Sequence, residues 1–108
     1  MIKVIIKKNN ELIENITISG HSLYDEYGKD IVCASVSSIA ITTVNGILNI
    51  YNDAIDYKEN DGYLNIKILN HNNVVDSLIK NMIDLLNSLE KDYKKYINIK
   101  EEVSICHN

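Results

Sequence analysis

The chain contains no arginine, proline, phenylalanine or tryptophan, and it has only two cysteines. Without arginine and with a net charge of -4, it lacks the guanidinium groups that read guanine and the excess of cations that neutralises phosphates. We therefore expect no direct nucleic-acid partner. Two cysteines are too few for a secreted disulfide scaffold, and no Cys-x-x-Cys or zinc-ligand spacing is present, so we expect neither a metal nor a cofactor.

We expect neither a signal peptide nor a membrane-spanning run. The apolar stretch within residues 1–8 is interrupted by lysine and is too short for a leader, and we find no later stretch apolar enough to span a bilayer. These absences predict a cytoplasmic protein without membrane contact. A length of 108 residues suffices for one hydrophobic core but not for two, so we expect a single domain over residues 1–108.

Alternating apolar residues predict five strands, and apolar residues at helical spacing predict two helices. The predicted strands form a hairpin near 2–6 and 16–18, a second hairpin at 54–59 and 63–69, and a last strand near 97–105; the helices run from about Asp30 to about Tyr51 and from Asn72 or Asn73 to near Tyr93. The order β-β-α-β-β-α-β predicts a two-layer α+β domain, with a mostly antiparallel or mixed sheet and both helices on one face. Exposed isoleucines on the other face would make it a dimer surface.

Residues 20–37 hold a histidine and a cysteine on either side of a polar loop. With Asp30 as the N-cap, Cys33 would occupy about the third position of the first helix, where the dipole and unpaired amides favour a thiolate. His21, if it reaches the sulfur, would act as the general base. Amides such as those of Cys33 and Ala34 would stabilise an oxyanion. Asp30 would orient His21 or only cap the helix.

The loop between the histidine and the cysteine has the features of a lid. Gly20 and Gly28 bracket it, and glycine tolerates the backbone angles that a hinge or a sharp turn requires. Asp25 and Glu26 make the loop acidic, which would attract a basic peptide.

Other interpretations of these residues remain open. Cys33 could be a packed, small apolar residue in a non-enzymatic binding module, or the thiol of a redox sensor that uses Cys106 as its partner. His71, next to the second helix, is interpreted as a solvent-exposed turn residue. Cys106 and His107 are neighbours on a predicted strand and point to opposite faces, so they do not form a metal site.

Two segments resemble a known family, the ribosomal-processing cysteine proteases termed Prp. The first and more specific is Gly20-His21 followed by Gly28-x-Asp30-Ile31-Val32-Cys33-Ala34-x-Val36-Ser37, and the second is Tyr93-Lys94-Lys95-Tyr96-Ile97. The resemblance implies an endopeptidase that removes a short N-terminal extension from a bacterial large-subunit ribosomal protein. It also implies a homodimer whose loop covers the active site until substrate binds.

On this resemblance, Cys33 is the nucleophile, His21 is its base, and Asp30 matches an acidic position with a less secure orienting role. The residues that we assign to the lid or to substrate binding are Gly20, Ser22, Asp25, Glu26, Gly28, Ala34 and Ser37. The sequence departs from the common pattern at Ser22 and Ser35, where alanine is frequent, and at Lys94, where proline is common. These departures affect peptide preference rather than the Cys-His dyad. A non-enzymatic ribosome-associated module is the alternative.

Overall fold

The computed structural model describes residues 1–20 and 27–104, and of residues 27–30 and 104 it describes the backbone alone. Seven elements follow the predicted order: β1 (Ile2–Asn9), β2 (Leu12–Ser19), α1 (Tyr27–Ile50), β3 (Ile55–Asn60), β4 (Tyr63–Ile68), α2 (Asn73–Asp92) and β5 (Ile97–Ser104). Both hairpins turn on residues with positive φ, at Asn10 (60°) and Gly62 (74°). The Asp61-Gly62 turn that the sequence predicted is therefore present.

The strands form one five-stranded sheet in the order β3-β4-β2-β1-β5. Neighbouring strands are antiparallel except β1 and β5, which are parallel. The hairpins account for two of the antiparallel pairs, whereas β5 reaches β1 only after the α2 crossover. The predicted two-layer α+β fold with a mixed sheet is confirmed.

One face of the sheet and both helices enclose the core. On β1, Ile2, Val4 and Ile6 are fully buried, while Lys3 and Lys7 point to the opposite side. The helices complete the core with Val32, Val36, Ala40, Val44 and Ile47 from α1, and Val75, Ile79, Met82, Ile83 and Leu86 from α2. Both helices therefore cover the same face, as the alternation on the strands requires.

Helix α1 is more apolar than its buried face requires. Its residues Ile31–Ile50 have the length and the mean hydropathy, 1.8, of a membrane span, so the expectation that no stretch meets this criterion is wrong. The reason is that small residues and isoleucines continue round the helix and no charged residue interrupts them. One face of this segment packs on the sheet, as in a core helix of a globular domain.

Helix α2 begins at a defined cap. Asn72 accepts a hydrogen bond from the Val75 amide at 3.0 Å, so Asn72 rather than Asn73 is the N-cap. Before it, His71 Nδ1 lies 2.7 Å from Asp76 Oδ1, and Nε2 lies 3.4 Å from Glu14 Oε1 on β2. The interpretation of His71 as a solvent-exposed turn residue is wrong, because the ring is 23% exposed and links α2 to the sheet.

The other sheet face is covered by neither described helix and carries mainly polar side chains. Its central isoleucine, Ile5, is half-buried between Lys100 on β5 and Thr17 on β2. The condition set by the sequence for a dimer surface, a group of exposed isoleucines, is not met on this face in the described part of the chain.

Candidate active site

Gly20 directly follows β2 and precedes the segment that carries His21. Its φ is 85°, and its amide donates a 3.0 Å hydrogen bond to the Gly62 carbonyl in the β3–β4 turn. A Cβ at this position would lie 2.6 Å from the Met1 carbonyl oxygen. Only glycine adopts this positive φ without strain and has no Cβ to clash with the Met1 carbonyl. Gly20 therefore fixes the end of β2 next to Met1 and the β3–β4 turn.

Helix α1 starts earlier than the sequence predicted. Because it begins at Tyr27, Asp30 is its fourth residue and Cys33 its seventh, so the assignment of Asp30 as N-cap and of Cys33 near the third position is wrong. The apolar periodicity starts only at residue 31, so it could not predict that the polar residues before it form the first turn of the helix.

This shift changes which backbone amides can bind an anion. The amides of Cys33 and Ala34 lie beyond the first turn of the helix, at positions where an α-helix pairs each amide with the carbonyl four residues earlier. The assignment of Cys33 and Ala34 as oxyanion donors therefore stays a prediction, and amides of the first turn are the alternative. Helical Cβ atoms tilt toward the N-terminus, so the Cys33 side chain is still directed toward the first turn.

Cys33 is a thiol that is 3% exposed and belongs to the core between Val32 and Val36. The next residue, Ala34, is exposed, and Ser37 is half-buried. The Ser35 hydroxyl donates a 2.8 Å hydrogen bond to the Ile31 carbonyl, which satisfies this polar group within the helix.

Several predicted site residues lie outside the described residues, namely His21, Ser22, Asp25 and Glu26. Gly28 and Asp30 are described by backbone, both in the first turn of α1. The structure thus describes Gly20 and Tyr27, which flank the segment, and Cys33, which follows it. It does not describe His21, so it gives no distance from Cys33 Sγ to the His21 ring. Cys106 and His107 also lie outside the described range.

A groove between the two helices was not predicted. It has a volume of about 540 Å³ and is lined by Ala34, Ser38 and Ile39 of α1, and by Leu85, Leu89 and Asp92 of α2. The small residues in the first half of α1 were its only sequence signal. The groove opens on the side of α1 that faces away from the sheet, whereas Cys33 faces the core.

The described residues contain no group of three or more His, Cys, Asp or Glu side chains placed to hold a metal ion. Within the same range, the largest change in acidity is at the edge of the sheet: burial, together with a 2.6 Å hydrogen bond to Glu59, raises the pKa of the Tyr57 hydroxyl. Tyr57 therefore remains protonated and donates to that carboxylate.

Residues 1–98 match the family model described as cysteine protease Prp. The chain belongs to the Prp family. It is 33% identical over 103 residues to the ribosomal processing cysteine protease Prp of Staphylococcus aureus, an alignment that covers 92% of this chain and 97% of that protein. The family identified from the sequence is confirmed, and the enzyme class with it: the chain is a cysteine protease.

Two solved Prp structures share the fold. The essential ribosomal processing protease Prp from S. aureus, in complex with a substrate peptide, superimposes with a TM-score of 0.88 at 27% identity, covering 94% of this chain and 100% of the other. The same S. aureus protease with a covalently linked product peptide gives 0.84, with the same identity and coverage. Membership of Prp sets aside the non-enzymatic interpretation, because this family is one of cysteine proteases.

Proposed function

We propose that this protease removes a short N-terminal extension from a bacterial large-subunit ribosomal protein in the cytoplasm. The observation that carries the proposal is the similarity, over nearly the full length of both chains, to a ribosomal processing protease from S. aureus. A second support is that a Prp structure at 27% identity contains a substrate peptide. No other class of protein substrate has comparable support in the sequence.

The proposed reaction uses Cys33 as the nucleophile. Its sulfur attacks the scissile carbonyl carbon while His21 takes the thiol proton and then gives it to the leaving amine. The product is a thioester between Cys33 and the N-terminal fragment. Water, deprotonated by His21, attacks this thioester, and the proton returns to the departing sulfur, which restores the thiol.

The oxyanion of both tetrahedral intermediates needs hydrogen-bond donors. We assign this role to amides in the first turn of α1, at residues 27–29, because the Cys33 side chain is directed toward that turn. Asp30 belongs to the same turn, and its proposed role is to orient the His21 ring.

The proposed lid starts at Gly20 and ends at the first turn of α1, which contains Gly28. Burial of Cys33 supports a covering element, since a thiol that is 3% exposed must be uncovered before it meets a peptide bond. Asp25 and Glu26 would attract a basic peptide. Ser22, Ala34 and Ser37 complete the residues proposed to line the substrate.

A homodimer is part of the same proposal. The outer surface of the helix layer supports it, because Ile31 on α1 and Leu85 on α2 are 37% and 46% exposed. A second copy that covers these side chains would remove apolar surface from water.

The decisive experiment incubates the purified chain with a peptide that spans the extended N-terminus of the ribosomal protein from the same organism. We expect one cleavage, detected by mass spectrometry, and a loss of at least about a thousandfold in rate for Cys33→Ala. Loss of comparable size is expected for His21→Ala, because the thiol then has no base.

Cys106→Ala is the matched control, since it removes the only other thiol. We expect its rate to be close to that of the native chain. Cleavage that survives Cys33→Ala in a folded protein would overturn the assignment of the nucleophile, and cleavage that requires Cys106 would support a redox role instead.

A further inference from the structure

The sheet face that the helices leave open carries five exposed lysines. They are Lys3 and Lys7 on β1, Lys58 on β3, Lys67 on β4 and Lys100 on β5, and together they define the lysine face. Lys3, Lys7 and Lys67 each lie next to a buried apolar residue, such as Val4 beside Lys3 and Ile66 beside Lys67. Lys100 and Lys58 share their face because they are the Cα partners of Ile5 and Asn65. Side chains of neighbouring strand residues point to opposite faces, so burial of the apolar set places the lysines on the open face.

The strand register spreads these lysines over the whole sheet. One row of Cα partners runs from Lys100 through Ile5, Thr17 and Asn65 to Lys58. Four steps between neighbouring strands make this row roughly 19 Å wide. A single small anion cannot contact ammonium groups separated by that distance, whereas an extended polyanion can.

Charge on this face is opposite in sign to that of the chain. Of the described side chains, five lysines but only two carboxylates lie there, Asp56 and Glu102 on the two edge strands, where they are the Cα partners of Lys67 and Lys7. Elsewhere, ion pairs engage Lys8 with Glu101 and Lys80 with Asp84. Among the described residues, no carboxylate lies within 4 Å of any of the five ammonium groups.

The centre of the lysine face is polar and held in place by hydrogen bonds. Asn65 Nδ2 donates to Asn15 Oδ1 at 3.1 Å and to Thr17 Oγ1 at 3.0 Å, which links β4 to β2. Tyr63, at one end of β4, is 40% exposed on the same face. A flat sheet that combines cations with an exposed aromatic ring and amide groups suits phosphates and unstacked bases.

We propose that the lysine face binds single-stranded RNA, mainly through its phosphates. An anionic bilayer fits less well, because no aliphatic side chain protrudes from the centre of this face and Ile5 is half-buried. The absence of arginine removes the usual fork for guanine, so binding is independent of base sequence. The expectation of no nucleic-acid partner relied on the net charge of the whole chain. That sum does not show that the fold places several lysines together on one face of the sheet.

This surface is independent of the proposed peptidase reaction. Cys33 lies on the helix-covered side of the sheet, and the lysines lie on the opposite side. RNA and the peptide substrate would therefore bind at the same time. The RNA experiment below can fail while cleavage is observed, and the reverse.

The test measures fluorescence anisotropy of a labelled, unstructured 20-nucleotide RNA between 50 and 200 mM salt. For five phosphate contacts the slope of log affinity against log salt is roughly -3.5, which corresponds to a loss of about 100-fold over that range. The triple variant Lys3→Gln, Lys67→Gln, Lys100→Gln removes three of the five contacts. We expect its slope to become shallower by about 2.

The matched control, Lys80→Gln, Lys91→Gln, Lys94→Gln, makes the same change in net charge outside the lysine face. We expect it to keep the native slope, and circular dichroism checks that both triple variants are folded. Cys33→Ala is expected to bind RNA with native affinity. The proposal is overturned if the native chain does not bind RNA at 50 mM salt, if the control loses as much affinity as the face variant, or if vesicles of anionic lipid bind and RNA does not.

Discussion

The two helices pack on the same face of the same sheet but differ in how their surfaces are used. Helix α2 has one apolar stripe, including Ile79 and Leu86, and its opposite side carries charged residues such as the paired Lys80 and Asp84. Helix α1 buries an equivalent stripe, yet apolar and small residues continue round its circumference. Helix α2 is thus polar over most of its outer side, apart from residues such as Leu85, whereas α1 continues apolar over much of its circumference.

The largest expected effect concerns the buried stripe of α2. Leu86→Ala leaves a cavity at a fully buried position, and we expect unfolding free energy to fall by about 2–5 kcal/mol. Val74 on the same helix, 42% exposed, is the control, with an expected change within about 0.5 kcal/mol for Val74→Ala. Urea denaturation measures both. Equal losses would show that the outer side of α2 is also packed, and the difference between the helices would disappear.

A smaller effect is expected at the start of α2. Asn72→Ala removes the side chain that accepts from the Val75 amide, and we expect a loss of about 0.5–2 kcal/mol in denaturation experiments. Asn72→Ser, which keeps a capping oxygen, should retain most of the stability. If both variants lost the same amount, the capping hydrogen bond would not explain the start of this helix.

The smallest effect tests the outer surface of α1. A Cβ at Gly46 would meet no atom within 4 Å, so Gly46→Ala should raise unfolding free energy by about 0.4–1 kcal/mol through helix propensity and a less flexible unfolded chain. Denaturation at two protein concentrations is the measurement. A loss of stability that grows with concentration would mean that a second chain approaches α1 at this glycine.

Much of the fold was predictable because its signals are local. Alternation and helical spacing correctly predicted all seven elements, and the Asp61-Gly62 turn predicted the second hairpin. The start of α1 was wrong by three residues, because a polar first turn has no apolar periodicity and Asp30 satisfies the preference for a cap. The same shift places Cys33 and Ala34 beyond the first turn of α1. Unpaired amides occur in the first turn, because the first residues of a helix have no carbonyl four residues earlier within it.

The candidate site was recognised from its motif rather than from its geometry. The segment around Cys33 carries a family signature that the whole-chain match confirms, and the roles of Cys33, His21 and Asp30 stay predictions. The burial of Cys33 was not derivable, because a cysteine at a helix start is compatible with either side of the helix. Contact of His71 with Glu14 was equally hidden, since it joins residues 57 positions apart.

The sequence by itself determined which residues form strands and helices and which side of each strand faces the core, because periodicity depends only on neighbours along the chain. Tertiary structure decided which strands lie side by side. Backbone pairing of β1 with β5 and of β2 with β4 places Lys3, Lys67 and Lys100 on one surface, although nearly the whole chain separates the first from the last. A basic face on a protein of net charge -4 therefore results from the hydrogen-bond register between distant strands. Composition does not reveal it.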